Sequence, residues 1–288
     1  MTSLAAAPAP ETRRWRLSVP GAALTARHYC QPACFGYHAA WRICRRTGLK
    51  GNPRWHVGFY RTALDAHALP AGRLLRVLIC AASDETMLAV LARLLPAHRL
   101  EVRLVDACRT PLLLAAAYAR RHHLTLTTVQ AHAPNLPDLD QFDLIATDGL
   151  LSLLPHRADA DALLARLAAA LHPDGLLLYT TRLAGTGGVL EYDRAGRALQ
   201  SAAFRALWRG PTEQRRKLAE EAWQHRSRPN PFSSMREIAA AFGETFSQVR
   251  VHTRTQPATT AQRLHPAARR GATSVSVGVA AAAPRSQP

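Results

Sequence analysis

The sequence predicts an α/β fold, a doubly wound, Rossmann-like sheet with a helical cap before it and a helical insertion within it. Three observations carry this. Between about residues 74 and 183, apolar strand-like runs alternate strictly with helix-like runs. The first run, LLRVLICAA, is continuously apolar, as a strand buried on both faces must be. After a long strandless interval, the chain closes with two more strand candidates.

The elements follow in order. Residues 1–12 are rich in Ala and Pro and are expected to be disordered. Residues 13–68 hold Trp15, Tyr29, Phe35, Tyr37, Trp41, Trp55, Phe59 and Tyr60, a dense share of the aromatics. Tyr37, Trp41 and Cys44 fall on one helical face, which predicts an aromatic-packed helical cap, with some rings free to line a pocket.

The α/β core spans 69–183. MLAVLARLLP is a helix stopped by Pro96. LEVRLVD, Leu100 to Asp106, is the second strand, and the helix after it carries Pro111 in its first turn. LTLTTVQA is the third strand and FDLIATDG the fourth, followed by a helix from about Asp159 to Leu171. HPDG is expected as a turn leading into LLLYTTRL, the fifth strand.

Residues 184–243 form a helical, substrate-covering insertion that opens on GTGG, with a helix expected over Thr212–His225. Ser234 and Glu237 fit a capping box for one more helix. FSQVRVHTRT and TSVSVGVAA, within 244–282, suggest an antiparallel hairpin at the sheet edge, and 283–288 a loose tail.

The net charge of +17 would ordinarily suggest a polyanionic partner. Only Lys50 and Lys217 are lysines, however, and the arginines are scattered through a chain rich in Ala, Leu and Pro. That is the bias of a GC-rich genome, without a nucleic-acid motif, so nucleic acid is not expected as a partner. No apolar run reaches the roughly 18 residues a membrane span needs. The opening MTSLAAAPAPETRR places its apolar part before its charges, the reverse of a secretory signal.

Five cysteines, Cys30, Cys34, Cys44, Cys80 and Cys108, make an odd count without paired spacing, which points to a reducing, cytoplasmic setting. Cys30-x-x-x-Cys34 opens like an iron–sulfur motif, but position 37 is Tyr37 and only two thiols are near in sequence. The cysteines are therefore read as small buried hydrophobes, and no metal is expected.

In a doubly wound sheet a ligand sits beyond the carboxyl ends of the central strands. The first strand there ends in Cys80-Ala81-Ala82-Ser83-Asp84, a turn without the glycines a pyrophosphate requires and with acids that repel phosphate. Ser83 is placed to cap the next helix. Asp106, ending the second strand, can accept from both hydroxyls of a ribose, or can simply cap the helix that follows. An acidic, phosphate-free turn followed by such an acid suits S-adenosyl-L-methionine, which carries a sulfonium and no phosphate.

The run from RVLICAASDETM through LEVRLVDACRTP, TTVQAHAPNLP and FDLIATDGLLSLLP to LAAALHPDGLLLYTTRL resembles the class I S-adenosylmethionine-dependent methyltransferases. The resemblance covers about residues 70–183. It implies a seven-stranded sheet of order 3-2-1-4-5-7-6 with the last strand antiparallel. It places Ala81, Ala82 and Asp84 at the methionine end of the cofactor, Asp106 and Ala107 at the ribose, Ala131 and His132 at the adenine, and Asp148 and Gly149 beside the methyl group. A substrate held between sheet, cap and insertion sits in a covered pocket, which suits a small molecule better than RNA or protein, so the expected activity is methyl transfer to a small molecule in specialised metabolism.

Candidate proton acceptors are Asp148, His156 and Tyr192, with Tyr179 and Glu191 beside them; His122-His123, at a helix end, reads as structural. Two other functions fit the same residues. One is an enzyme that cyclises adenosylmethionine and releases methylthioadenosine. The other is a binding protein that keeps the fold without the cofactor, since both glycines of the family's G-x-G are alanine or serine here. A homodimer is compatible with all three.

Overall fold

The structure, a computed structural model, describes residues 21–46, 53–132, 141–184, 231–256 and 274–285, with some single positions between 198 and 220. The expectations for residues 1–12, GTGG, Glu191, Tyr192 and most of the insertion lie outside the described residues.

Three helices lead in: α1 (Ala22–Tyr29), α2 (Pro32–Arg46) and α3 (Pro53–Asp65). Then strands and helices alternate: β1 (Leu75–Cys80), α4 (Thr86–Leu94), β2 (Leu100–Asp106), α5 (Arg109–Arg121), β3 (Thr125–Gln130), β4 (Phe142–Asp148), α6 (Arg157–Ala169) and β5 (Leu171–Ala184). The chain closes with α7 (Met235–Thr245), β6 (Phe246–Gln256) and β7 (Ser274–Pro284). The sheet order is β3-β2-β1-β4-β5-β7-β6, as the resemblance implies. β1 to β5 pair in parallel, and β7 runs antiparallel to both β5 and β6.

Side-chain alternation along each strand divides the core into two layers. On β1, Val77 and Ile79 face a layer formed with α3, α4 and α5. Leu78 and Cys80 face the other, formed with α6 and α7. That two-sided burial is why LLRVLICAA contains no polar alternation. The edge strand β3 has no such demand, and most of its residues are exposed.

The aromatic segment is not one cap. Trp55, Phe59, Tyr60 and Ala63 of α3 are buried in the same layer as β1, α4 and β2, so α3 is a sheet-covering helix. It lies so close to β7 that a Cβ on Gly278 would stand 2.5 Å from Trp55 Cη2 and 2.9 Å from the Phe59 ring. α1 and α2 pack on each other around Ala26, Phe35 and Ala39.

Two expectations are corrected. HPDG does not precede β5; it lies within it, where the pairing passes from Phe142↔Leu171 to Leu144↔Leu176. The extra residues form an irregularity that folds back on itself, and a Cβ on Gly175 would stand 2.8 Å from Leu171 and 2.9 Å from the His172 carbonyl. Residues 283–285 are not loose either: β7 runs to Pro284, and the Arg285 amide donates to the Thr245 carbonyl at 2.9 Å. Ser234 caps α7 as expected, accepting from the Glu237 amide at 3.2 Å. The return bond goes to the preceding residue, Ser233, whose amide donates to Glu237 at 2.7 Å.

Gly278→Ala is expected to destabilise the protein by about 1–3 kcal/mol, because two aromatic rings must give way in a packed layer. Chemical denaturation with the slope held common to both proteins measures it.

Candidate active site

The turn after β1 is built on one carboxylate. Asp106 Oδ2 accepts from the Ala82 amide at 2.9 Å, and its Oδ1 accepts from the Cys108 amide at 2.6 Å. Burial raises the Asp106 carboxyl above its ordinary range, against the lowering effect of the bonds from Ala82 and Cys108. Each oxygen keeps a second acceptor position, so the ribose and the structural readings of Asp106 are compatible. Ala81 has φ of 62°, a left-handed conformation that an alanine adopts at a cost of about 1–2 kcal/mol. The backbone keeps the shape a glycine turn would have, and the side chain bears the strain. Cys80, at the strand end beneath, is pushed up to about 12 by burial and by the Asp106 charge, which leaves it a neutral thiol.

Ser83 does not cap α4. Its hydroxyl pairs with the Tyr37 hydroxyl at 2.5 Å, and its carbonyl faces His38 Nδ1 at 3.2 Å, so the turn is tied to α2. The capping contact comes from Asp84, whose Oδ1 accepts from the Thr86 amide at 2.9 Å. Asp84 is thus engaged with the helix start while also lining the pocket above.

That pocket lies between the ends of β1 and β4, where strand order reverses, with Ala82, Ser83 and Asp84 on one side and Asp148 on the other. Trp41 from α2 and His56 and Tyr60 from α3 enclose it, with Met87 of α4 below. His56 Nε2 stands 3.6 Å from Asp148 Oδ1, and the Thr180 hydroxyl donates to the same oxygen at 2.7 Å. Burial works to raise the Asp148 carboxyl, but the facing His56, with hydrogen bonds from His56 and Thr180, holds it below its ordinary range. Two pocket-lining residues carry buried polar atoms: Trp41 Nε1 has no hydrogen-bond partner among the described residues, and the Tyr60 hydroxyl faces Thr180. Burial, and then the Asp148 charge, raise the Tyr60 phenol, against the lowering effect of a hydrogen bond with Thr180, so it stays neutral. Burying a donor without a partner is costly.

The remaining sequence candidates divide. Ala107 and His132 are exposed and Ala131 is partly buried, its amide donating to the Asp106 carbonyl at 3.1 Å. Gly149 turns the chain after β4 with φ of 70°, and its amide donates to the Thr180 carbonyl at 2.7 Å. His156 is the exposed N-cap residue of α6 and does not line the pocket. Tyr179 is fully buried and stacks on Phe242 with centroids 5.5 Å apart, so it cannot serve the pocket as a base. His122 ends α5 and His123 follows with φ of 54°, both structural.

Sequence reasoning missed His56, which sits four residues before Tyr60 on one helix face. It also counted only two neighbouring thiols. The fold brings Cys108 to Cys30 and Cys34, each at 3.5 Å, with His38 beside them.

No protein-family model matches the sequence. No curated protein matches it either. Solved structures do match, at low identity. The CurJ carbon methyltransferase aligns with a TM-score of 0.54 and 15% identity, covering 91% of this chain and 67% of that one. A candidate O-methyltransferase from Nostoc punctiforme aligns at 0.51 and 16%, covering 85% and 60%. A possible exported protein from Bordetella parapertussis aligns at 0.50 and 19%, covering 80% and 68%. The chain thus spans about two thirds or less of the length of these proteins. Its architecture is the class I S-adenosylmethionine-dependent methyltransferase fold. Among the described residues, no helix is long and apolar enough to cross a membrane.

Ala81→Gly is expected to stabilise the protein by roughly 0.5–1 kcal/mol, the left-handed strain relieved less the entropy glycine adds to the unfolded chain; equilibrium denaturation measures this. Asp148 has a folded pKa below its unfolded value of about 3.9, so its contribution to stability is present above that pH and lost as pH falls through the lowered value. Asp148→Asn should therefore flatten part of the acid limb of a stability-versus-pH curve.

Proposed function

We propose that the protein is an S-adenosylmethionine-dependent methyltransferase acting on a small molecule, in specialised metabolism. The observation that carries this is the half-open pocket at the β1–β4 crossover, where His56 meets Asp148 beside Trp41 and Tyr60. The pocket is covered by α2 and α3, which suits a small acceptor better than a polymer.

The residues present fit the cofactor. The β1 turn carries only small side chains and acids, and the free acceptor positions on Asp106 suit two ribose hydroxyls. The Trp41 ring, on the pocket wall, can stack against a cation. Ala81, Ala82 and Asp84 would hold the methionine end, Ala107 the ribose with Asp106, Ala131 and His132 the adenine, and Asp148 and Gly149 the region of the methyl group. Bound there, adenosylmethionine supplies an electrophilic methyl group on a sulfonium.

The chain supplies position and proton transfer. Asp148 and Thr180 face His56 Nε2 at 3.6 and 3.3 Å and orient the ring. With Nε2–H directed to them, Nδ1 carries the lone pair that receives the acceptor's proton. Closure by Trp41 and Tyr60 keeps water from competing.

A second reading, a binding protein without the cofactor, draws on the strained Ala81 and on an Asp106 already holding two amides. Isothermal titration with adenosylmethionine and adenosylhomocysteine separates them: heat with either is expected, and silence with both sinks the methyltransferase reading. Incubation with adenosylmethionine alone should release no methylthioadenosine. Once an acceptor is found, His56→Ala should lower kcat/KM by roughly 10²–10⁴, with adenosylhomocysteine affinity little changed.

A further inference from the structure

Behind the turn, away from His56, four metal-ligating side chains converge from three places in the chain. Cys30 ends α1, Cys34 and His38 lie one turn apart on the same face of α2, and Cys108 is the N-cap of α5. Cys30 Sγ and Cys34 Sγ each lie 3.5 Å from Cys108 Sγ, and one ligand atom from each of the four residues falls within 4.8 Å of all the others. His38 and Cys108 are buried, while Cys30 and Cys34 are partly so.

We propose that Cys30, Cys34, His38 and Cys108 bind one Zn²⁺ ion that fastens the leading helices to the β1 turn and the β2–α5 junction. Tetrahedral zinc, with bonds of about 2.3 Å to sulfur and about 2.0–2.1 Å to nitrogen, needs ligand atoms about 3.3–3.8 Å apart. The two thiol separations of 3.5 Å fall in that range, and every other pair of ligand atoms lies within 4.8 Å, so small side-chain shifts close the site. Three thiolates and an imidazole form a closed structural donor set, without the oxygen ligands that magnesium or calcium require. Ligand atoms this close leave no room for a cluster of four irons and their sulfides between them.

The surroundings match as well. His38 Nδ1 faces the Ser83 carbonyl at 3.2 Å, the outer hydrogen bond that fixes a metal-binding imidazole with Nε2 as its ligand nitrogen. The Thr110 hydroxyl lies 3.0 Å from Cys30 Sγ and can donate to a thiolate there. The Cys108 amide is already held by Asp106. A metal here would therefore hold both ends of the turn, through Ser83 on one side and Asp106 on the other. It needs neither adenosylmethionine nor methyl transfer, so it stands apart from the function proposed above.

The test uses the full chain, expressed with zinc present and purified in reductant without chelators. Elemental mass spectrometry should find one zinc per chain. Replacing zinc by Co²⁺ should give the intense visible bands of a tetrahedral site and an ultraviolet thiolate-to-cobalt band. Cys108→Ser and His38→Ala should each cut zinc retention at least tenfold, while Cys44→Ala, outside the cluster, keeps it. Thr110→Val should weaken binding by roughly 10–100-fold. Chelation should lower Tm by about 10 °C. Should a ligand variant fail to fold, the cobalt spectrum of the unaltered protein decides alone. Failure of the reduced protein to bind either Zn²⁺ or Co²⁺ overturns the proposal. So does undiminished zinc in a folded Cys108→Ser variant, a mass two protons short that marks a disulfide among these cysteines, or bound iron with inorganic sulfide.

Discussion

The crossover end of this sheet depends on the Asp106 carboxylate. It accepts the Ala82 amide on one oxygen and the Cys108 amide on the other, and so joins the turn after β1 to the start of α5. Without it two buried backbone donors would lose their acceptors, each at a cost of about 1–3 kcal/mol. Burial disfavours the charged form, and the two amide bonds offset that only in part. The position of the turn, the floor of the pocket and the place of Cys108 all follow from this single side chain.

A glycine-free turn keeps its shape because the surroundings over-determine it. Ala81 is held in the left-handed region while its amide donates to the Val105 carbonyl at 2.8 Å, Ala82 is held by Asp106, and Ser83 is held by Tyr37 and His38. Glycine would make the same path cheap without partners. Here the partners come from β2 and, at Ser83, from α2, so the leading helices help to shape the turn as well as cover it. The same helices close the pocket, through Trp41 from α2 and His56 and Tyr60 from α3. One structural arrangement serves both ends.

The helix α3 shows how a residue group can hide its role. Trp55 and Phe59 pack against β7 at Gly278, whereas His56 and Tyr60 line the pocket. In sequence Trp55, Phe59 and Tyr60 read as one aromatic cluster, and His56 goes unmarked. Their division between core and pocket depends on how the helix is rotated against β5 and β7, strands more than 100 residues away in the chain.

By itself the sequence determined the alternation of strands and helices, the strand cores, the stop at Pro96 and the Ser234 cap, because each is a local pattern of period, propensity or capping chemistry. It also marked Ala81, Ala82, Asp106 and Asp148, since strand ends in a parallel sheet are where ligands sit. Tertiary structure alone decided that HPDG lies inside a strand, that Ser83 serves α2 and Asp84 serves α4, that His56 meets Asp148, and that Tyr179 is core. It alone brought Cys108 to Cys30 and Cys34 across more than seventy residues. Apart from the Asp84 cap, which is local and follows once Ser83 is drawn to α2, the physical reason is the same: these are contacts between elements far apart in the chain, set by packing, and local pattern carries no trace of them.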